Sequence, residues 1–298
     1  MGDVLAGFHA AWEFESDSVL IRYERGIRTP KLFQALGERR VPLEAIEGVT
    51  LTPGRRGTVV LRAEPRAGAD PLIEAAAGQL KEGGDPYRLV LPAERETLAE
   101  YYADELRALL TESGKTERYL VAPPEAPLHF KAYDGKASFD GKAVSFRWSW
   151  TGASSAKWKA GDQSFPVADL GGVEWRSPEM FEGYLRLLPR DADASAAGAA
   201  AGPAGAAPAV PQADQDPAAV VFGLGYGPVH ESLPFAAAVL AAVRERGASA
   251  PVPITVPAPR RDPADIAERI RHLGELHQQG LVTDEEFSSK KAELLAEL

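Results

Sequence analysis

Apolar and polar residues alternate with a period of two in the strand-like parts of this chain, and the same alternation occurs twice. In SVLIRY (18–23) and AVSFRW (143–148), apolar side chains alternate with polar ones, as expected for strands that bury only one face. Pro42 and Pro166 mark strand starts or sheet edges, where a missing N–H costs no ladder hydrogen bond. The pattern therefore predicts two sets of short antiparallel strands.

Each set of strands is followed by a helical pattern. Downstream of the first set, apolar residues recur at helical spacing: Leu98, Tyr101, Tyr102, Leu106 and Leu109. Downstream of the second set, we expect a helix that begins at Pro234 and ends at Gly247. Several strands followed by one helix predict an α+β fold, in which a curved antiparallel sheet or open barrel is closed by a C-terminal helix.

Four sequence blocks recur in the same order and predict an internal duplication. FESDSVLIRY from Phe14 matches FDGKAVSFRW from Phe139, and VPLEAIEGVTL (41–51) matches FPVADLGGVEW (165–175). GTVVLR from Gly57 aligns with GYLRLL from Gly183, and DPYRLV (85–90) aligns with DPAAVV (216–221). Chance explains any single match, but four matches in one order favour duplication. The predicted domains are residues 5–113 and 127–247.

Two long segments are predicted to be mobile loops inside the domains and not domain boundaries. EPRAGADPLIEAAAGQLKEGGDP (64–86) and the Ala/Gly/Pro-rich segment 191–216 occupy the same place in the two repeats, between neighbouring strands. We expect the linkers near 114–127 and at 248–262, where the density of proline favours an extended spacer.

The last segment, 263–298, is predicted to form a short helical hairpin. Gly280 ends its first helix, and Thr283 with Glu286 forms a capping box for the second. Its apolar positions are Ile266, Ile270, Leu273, Leu276, Leu281, Phe287, Leu294 and Leu295. Two such helices bury too little surface to be stable alone. The hairpin is therefore expected to self-associate, to dock on the preceding domains or to bind another protein.

Parts of this chain resemble known families. The order of strands and helix is similar to the pleckstrin-homology-like (PH-like) fold. The repeated pattern of Gly48, Val49, Gly57 and Asp85, and again of Gly172, Val173, Gly183 and Asp216, resembles the actinobacterial domain of unknown function 4429. DIAERIRHLGELHQQGLVTDEEFSSKKAELL (265–295) is similar to the short C-terminal module SHOCT. The resemblance implies tandem PH-like domains without an assigned activity, followed by the hairpin.

Composition narrows the classes of partner and location. The net charge of −10 disfavours nucleic acid as a partner, because binding to phosphates depends on Lys and Arg. The sequence contains no Cys, which rules out disulfides and thiolate chemistry and fits a reducing compartment such as the cytoplasm. Asp3 and Glu13 do not suit a signal peptide, and no apolar run is long enough to predict a transmembrane segment.

Motifs for catalysis or cofactor binding are weak. SGKT (113–116) lacks the first glycine of a phosphate loop, because Leu109 stands in that place, and GLGYG (223–227) lacks the third glycine of a dinucleotide fingerprint. The five His residues are scattered without the spacing of metal ligands. We therefore expect no catalytic residue, no metal and no cofactor. A catalytic site assembled across both domains is the remaining enzymatic alternative.

Two loops in the same place of the two repeats are candidate ligand sites. Their basic and Trp residues are Arg22, Arg25, Arg28 and Lys31 in the first repeat, and Arg147, Trp150, Lys157, Trp158 and Lys159 in the second. Guanidinium groups suit phosphate or carboxylate ligands, and Trp among basic residues favours a membrane interface or a peptide groove. The alternative is that Trp148 and Trp150 pack into the core while water solvates the basic groups.

The predicted function is that of a non-enzymatic binding or scaffold protein. The PH-like domains would bind a protein or ligand, and the hairpin would drive oligomerisation or docking. The alternative function is a peripheral membrane protein that binds anionic phospholipid headgroups through the basic and Trp-bearing loops.

Overall fold

The computed structural model describes residues 3–180, 182–190 and 212–249, which form an α+β protein with two similar repeats. Each repeat has a four-stranded and a three-stranded antiparallel sheet. A helix follows the last strand of each repeat. The predicted fold class is confirmed, and the sheets stay open rather than closing into barrels.

The first repeat begins with four strands in sequential order: β1 (Asp3–Ala6), β2 (Ala10–Phe14), β3 (Ser18–Tyr23) and β4 (Glu38–Pro42). Its second sheet comprises β5 (Ile46–Pro53), β6 (Thr58–Pro65) and β7 (Arg88–Pro92). The helices are α1 (Lys31–Leu36), α2 (Pro71–Ala76) and α3 (Glu96–Leu109). Helix α1 connects β3 to β4, α2 lies between β6 and β7, and α3 follows β7.

The second repeat follows the same plan. Its first sheet comprises β8 (Leu128–Lys131), β9 (Gly135–Phe139), β10 (Ala143–Trp148) and β11 (Gln163–Pro166). Its second sheet comprises β12 (Leu170–Arg176), β13 (Tyr184–Pro189) and β14 (Ala219–Val221). The described helices are α4 (Ser155–Ala160), which connects β10 to β11, and α5 (Val229–Ser249).

Strand pairing repeats in detail and supports the duplication. A bulge shifts the register between Ile46 and Gly48 on β5, and the same shift occurs between Leu170 and Gly172 on β12. A bulge often takes a glycine because the backbone bends there. The register also places Leu185 level with Leu61. The alignment of Gly57 with Gly183 was therefore wrong by two residues, a shift that leaves every side chain on its predicted face.

The repeated Asp-Pro dipeptide marks an ion pair that recurs in both repeats. One carboxylate oxygen of Asp85 accepts from Arg62 Nε at 3.1 Å, and the other accepts from a backbone N–H two residues later. Asp216 accepts from Arg186 Nε at 3.0 Å and from the backbone N–H two residues later. Each Asp therefore shapes the turn before the last strand and ties it to the neighbouring strand.

Helix α2 corrects the interpretation of segment 64–86 as a mobile loop. Asp70 caps the helix by accepting from the Leu72 N–H at 2.8 Å, and Pro71 stands at its first position. The same carboxylate accepts from Arg39 Nη1 at 2.9 Å and from the Tyr87 hydroxyl at 2.7 Å. Leu72 and Ala76 are buried in the core of the second repeat. The segment is thus an ordered part of the inter-repeat contact, while 191–211 lies outside the described residues.

The segment near 114–127, predicted as a linker, lies against the first repeat. The Thr116 N–H donates to Ala67 O at 2.9 Å, and the Val121 N–H donates to Ala69 O at 3.0 Å. Val121 is buried in the first core. Because the backbone and side chains of this segment contact the first repeat, the connection between the repeats is fixed. Both repeats belong to one compact unit.

Helix α5 begins earlier than predicted. It starts at Val229, contains Pro234 in its interior and extends past Gly247 to Ser249. The Ser232 hydroxyl donates to Gly227 O at 2.9 Å and accepts from the Trp175 indole N–H at 3.1 Å. These contacts hold the first turn of the helix although Pro234 removes one backbone donor. None of the helices in the described part of the chain is long and apolar enough to cross a lipid bilayer.

Candidate functional site

The basic loop of the first repeat connects β3 to α1 and is largely exposed. Arg22, at the end of β3, pairs with Glu13 at 2.7 Å and lies 3.8 Å from Glu38. Arg25, Arg28 and Lys31 are exposed and form no ion pair within the described part of the chain. Three cations of the predicted site, Arg25, Arg28 and Lys31, thus lie between the end of β3 and the start of α1 without an acidic partner in the described part of the chain. Arg22 already has acidic partners.

The tip of this loop also carries an apolar residue. Ile27 is fully exposed between Arg25 and Arg28. An isolated apolar side chain on a surface is common. Its position at the tip of a basic loop is therefore informative only in comparison with the corresponding loop of the second repeat.

That loop connects β10 to α4, and the loop and the helix each expose one Trp side chain. Trp150 is 81% exposed, Trp158 is 52% exposed, and their rings meet edge to face with centroids 5.6 Å apart. Lys159 is exposed next to them, while Arg147 pairs with Asp162 at 3.4 Å. The alternative that Trp150 packs into the core is therefore wrong. Trp148 is half-buried and donates its indole N–H to Gly161 O at 2.7 Å.

Lys157 does not belong to this exposed set, which corrects its predicted role in ligand binding. Its side chain is 0% exposed, and its ammonium donates to Asp134 Oδ2 at 2.5 Å. The ammonium also lies 5.0 Å from the centre of the Trp148 ring. Asp134 Oδ1 accepts from the Val221 N–H at 3.0 Å. The two charges pair with each other inside the fold. The buried Lys157 ammonium therefore does not reach a ligand at the surface.

Burial dominates the electrostatics of this pair. It raises the pKa of the Asp134 carboxyl and lowers the pKa of the Lys157 ammonium, since both charged forms lose hydration, while the ion pair opposes each shift. In the first repeat, Phe33 takes the place of Lys157 and stacks on Tyr23 with centroids 4.8 Å apart. An ion pair and an aromatic stack thus fill the same site in the two repeats.

Two exposed Tyr side chains lie on the same repeat as the Trp pair, and the loop that follows Trp150 contacts one of them. Gly152 lies against the backbone of Tyr133, where a Cβ would approach the Tyr133 carbonyl oxygen too closely. Tyr133 meets Tyr226 edge to face at 6.3 Å, and both are exposed. We call Trp150, Trp158, Tyr133 and Tyr226 the aromatic surface. It lies on the second repeat.

A cleft of about 960 Å³ lies between the repeats. Its wall from the first repeat comes from the start of α1 and from residues 80, 81, 83 and 84, and its wall from the second comes from residues 178–180, 182–183, 222–226 and 228–230. GLGYG (223–227), which has no predicted role, forms a tight turn along the cleft with a Gly223–Tyr226 bridge. We call this space the inter-repeat cleft. It is lined mostly by apolar side chains and glycines.

Titratable groups concentrate at one end of the cleft. His230, in the first turn of α5, lines it together with Lys31. Burial lowers the pKa of the His230 imidazole, Glu231 opposes the shift, and the positive charge of Lys31 lowers the pKa further. Within residues 3–180, 182–190 and 212–249, no three His, Asp or Glu side chains cluster as metal ligands would.

The family comparisons agree with the duplicated fold. A family model described as a domain of unknown function, DUF4429, matches residues 12–107 and 137–240. The chain belongs to this family. The model of the Short C-terminal domain, SHOCT, matches residues 268–295, which lie outside the described residues together with all predicted hairpin positions. No match was found among curated proteins.

Sequence reasoning missed the most specific features of the DUF4429 repeats. The cleft was missed because its walls come from segments far apart in the chain. The buried Lys157 was counted as a surface cation because basic residues are rarely buried without a partner, and its partner Asp134 lies on another loop. The presence of Lys157 in a place where the other repeat has the apolar Phe33 was the available signal.

Proposed function

We propose that this DUF4429 protein is a non-enzymatic binding protein of the cytoplasm and that its second repeat binds a protein partner through the aromatic surface. The observation that supports this proposal is the exposure of Trp150 and Trp158 as a packed pair. Two adjoining Trp rings in water are unfavourable unless a partner covers them.

The composition of the aromatic surface is that of a protein interface. Trp and Tyr are enriched where binding energy concentrates, and charged groups stay at the rim. Here the rim has Lys159 and the Arg147–Asp162 pair. A short helix and a loop held against Tyr133 carry the rings. Binding should therefore cost little conformational entropy.

Trp fluorescence tests this proposal with the intact chain. A protein captured by the wild type would be purified separately and titrated against the wild type and against W150S/W158S. Burial of the two rings is expected to shift their emission to shorter wavelength, and the double variant should bind at least about tenfold more weakly. Equal affinity of the double variant, with an unchanged wild-type emission, would contradict the proposal.

The control keeps the fold and removes a comparable apolar group elsewhere. L109S changes an exposed residue at the end of α3 in the first repeat. It should bind the partner like the wild type.

We further propose that the SHOCT segment drives self-association or docking. Its predicted apolar stripes and the small surface that two short helices bury support this role. Light scattering of the full chain and of a version ending after Pro259 tests it. An oligomeric full chain with a monomeric truncation is the expected result. Monomers in both cases would exclude self-association.

A second candidate function is binding to an anionic membrane surface. Ile27 and Trp150 are exposed on corresponding loops of the two repeats, and Arg25, Arg28 and Lys31 lie beside Ile27. Apolar tips with adjacent cations suit an anionic bilayer, whereas the net charge of −10 opposes it. Sedimentation with phosphatidylserine vesicles tests this candidate. Salt-sensitive binding lost in R25Q/R28Q/K31Q would support it, and no binding at low salt would exclude it.

A further inference from the structure

The inter-repeat cleft has the size of a ligand site. Its volume of about 960 Å³ falls in the range that accommodates small organic ligands. Both repeats build it, and several contacts fix their relative position. Gln79 donates to Trp175 O at 3.0 Å and accepts from the Ser177 N–H at 2.9 Å, and Lys81 pairs with Glu179 at 3.1 Å. The cleft is thus a formed space and not a gap between independent domains.

The walls of the cleft favour an apolar occupant. Leu32 and Phe222 lie buried at its base, and Leu80 contributes a half-buried side chain. Met180 and Leu224 stand exposed at its rim. Leu224 exposes its whole side chain at the rim, where it extends the apolar lining of the cleft.

Three glycines of the cleft lining have open space beside them. At Gly83, Gly84 and Gly225, a Cβ atom would meet no other atom within 4 Å. The space next to these residues is therefore not filled by the protein itself. An extended chain could lie along the glycine-lined walls without displacing a side chain.

One end of the cleft is positive. Lys31 is exposed there and has no ion-pair partner within the described part of the chain. Helix α5 begins at Val229 on the wall from the second repeat, and the N-terminus of a long helix carries partial positive charge. His230 adds an N–H donor. Glu231 lies 3.7 Å from His230 and partly offsets this charge.

Among the residues that the structure describes, the remaining charges of the cleft are those of Lys81, Glu179 and Glu182. Lys81 and Glu179 neutralise each other at 3.1 Å. Glu182 contributes one carboxylate. The polarity is therefore that of an apolar channel with a cationic end, and a complementary ligand combines a long apolar body with one anionic group.

We propose that the inter-repeat cleft binds a free long-chain carboxylate, whose aliphatic chain covers Leu80, Met180 and Leu224 and whose carboxylate meets Lys31. This site involves neither the Trp pair nor the SHOCT segment and shares only Tyr226 with the aromatic surface, so it extends the protein-binding function proposed above. Charge complementarity at Lys31 sets its specificity, and the apolar walls provide the driving force.

Calorimetric titration of the full chain tests the proposal with sodium dodecanoate, below its micelle concentration, as the probe. One dodecanoate per chain is expected to bind. Dodecan-1-ol and dodecyltrimethylammonium should each bind about tenfold more weakly or less, because neither offers an anion to Lys31.

Matched variants locate the site. G83W and G84W each add a ring at a lining residue where a Cβ meets no other atom within 4 Å, and each is expected to weaken dodecanoate binding at least about tenfold. K31Q should weaken it about tenfold, the effect of one charge-assisted hydrogen bond. K159Q, which removes an exposed Lys near α4 of the second repeat, should leave it unchanged.

Three results would overturn the proposal. These are full binding of dodecanoate to both cleft-filling variants, equal binding of the cationic and anionic amphiphiles, and equal weakening by K31Q and K159Q. Urea unfolding of each variant shows whether it is folded. G83W and G84W change neighbouring residues one at a time. If one variant does not fold, dodecanoate binding to the other variant still tests the proposal.

Discussion

Arg244 and Glu74 form an ion pair across the boundary between the two repeats. Nη2 of Arg244, on α5, donates to both carboxylate oxygens of Glu74, on α2, at 2.6 and 2.9 Å. Nη1 donates to Gly68 O at 3.1 Å, and the guanidinium lies 3.8 Å from the centre of the Tyr119 ring. One side chain therefore joins the last helix of the second repeat to three segments that precede that repeat.

Removal of this contact should destabilise the whole unit. R244M keeps the apolar stem but loses the charge-assisted hydrogen bonds, and we expect the free energy of unfolding to fall by about 1–3 kcal/mol. Urea unfolding measures the change. R246M, at an exposed position two residues further along α5, is the matched control. Equal losses in both variants would mean that the inter-repeat contact contributes no stability of its own.

The buried pair of Asp134 and Lys157 should respond asymmetrically to substitution. D134A leaves a buried ammonium without its partner, which should cost about 3–5 kcal/mol of unfolding free energy. D134A/K157M removes both charges and should be more stable than D134A alone, because no uncompensated charge remains. Thermal or urea unfolding compares the two. A double variant less stable than the single one would show that the pair contributes more than mutual neutralisation.

Gln79 should protect an exposed sheet edge. Its side-chain amide donates a hydrogen bond to Trp175 O and accepts one from the Ser177 N–H at the edge of β12, as a neighbouring strand would. Q79A is expected to lower the unfolding free energy by about 1–3 kcal/mol and to accelerate hydrogen exchange of the Ser177 amide.

Q34A is the control for this change, since the Gln34 amide also donates two hydrogen bonds, to Gly26 O and Thr29 O, but within the first repeat. It should leave exchange at Ser177 unchanged. Slow exchange at Ser177 in Q79A would show that another group protects this edge.

His230 should make stability depend on pH. Burial, aided by Lys31 and opposed by Glu231, lowers its pKa in the folded state. The unfolded chain therefore binds the proton more readily, and stability present above the ordinary histidine pKa is lost as pH falls from about 7 to about 5. H230Q should lose less stability over this interval than the wild type, measured by urea unfolding at each pH.

H129Q, at an exposed position on β8, is the control for that experiment. The difference between H230Q and the wild type should not be reproduced in H129Q. If both variants flatten the pH dependence equally, His230 is not its source.

The duplication could be read from the sequence because its strongest signals are local. Alternation in AVSFRW sets the faces of β10, whereas the same prediction was wrong for SVLIRY, because five of the six residues of β3 are buried. The Asp-Pro dipeptides mark turns that Asp85 and Asp216 shape through bonds to nearby backbone. Such features depend on neighbours in the chain, so each block keeps its pattern in both repeats.

Features that depend on distant contacts could not be read in the same way. Helix α2 is six residues long, too short to give a clear helical period, and its stability comes from the Asp70 cap and from burial in the other repeat. The burial of Lys157 depends on Asp134, which lies on a loop between other strands. Sequence spacing alone contains no information about either contact.

Phe33 and Tyr23 in one repeat correspond to Lys157 and Trp148 in the other, and this difference has a consequence for chimeras of the two repeats. A chimera that carries Lys157 into the first repeat without Asp134 would bury a lone charge, and we expect it to be unstable. The two repeats are therefore alike in fold, but their segments are not interchangeable one at a time.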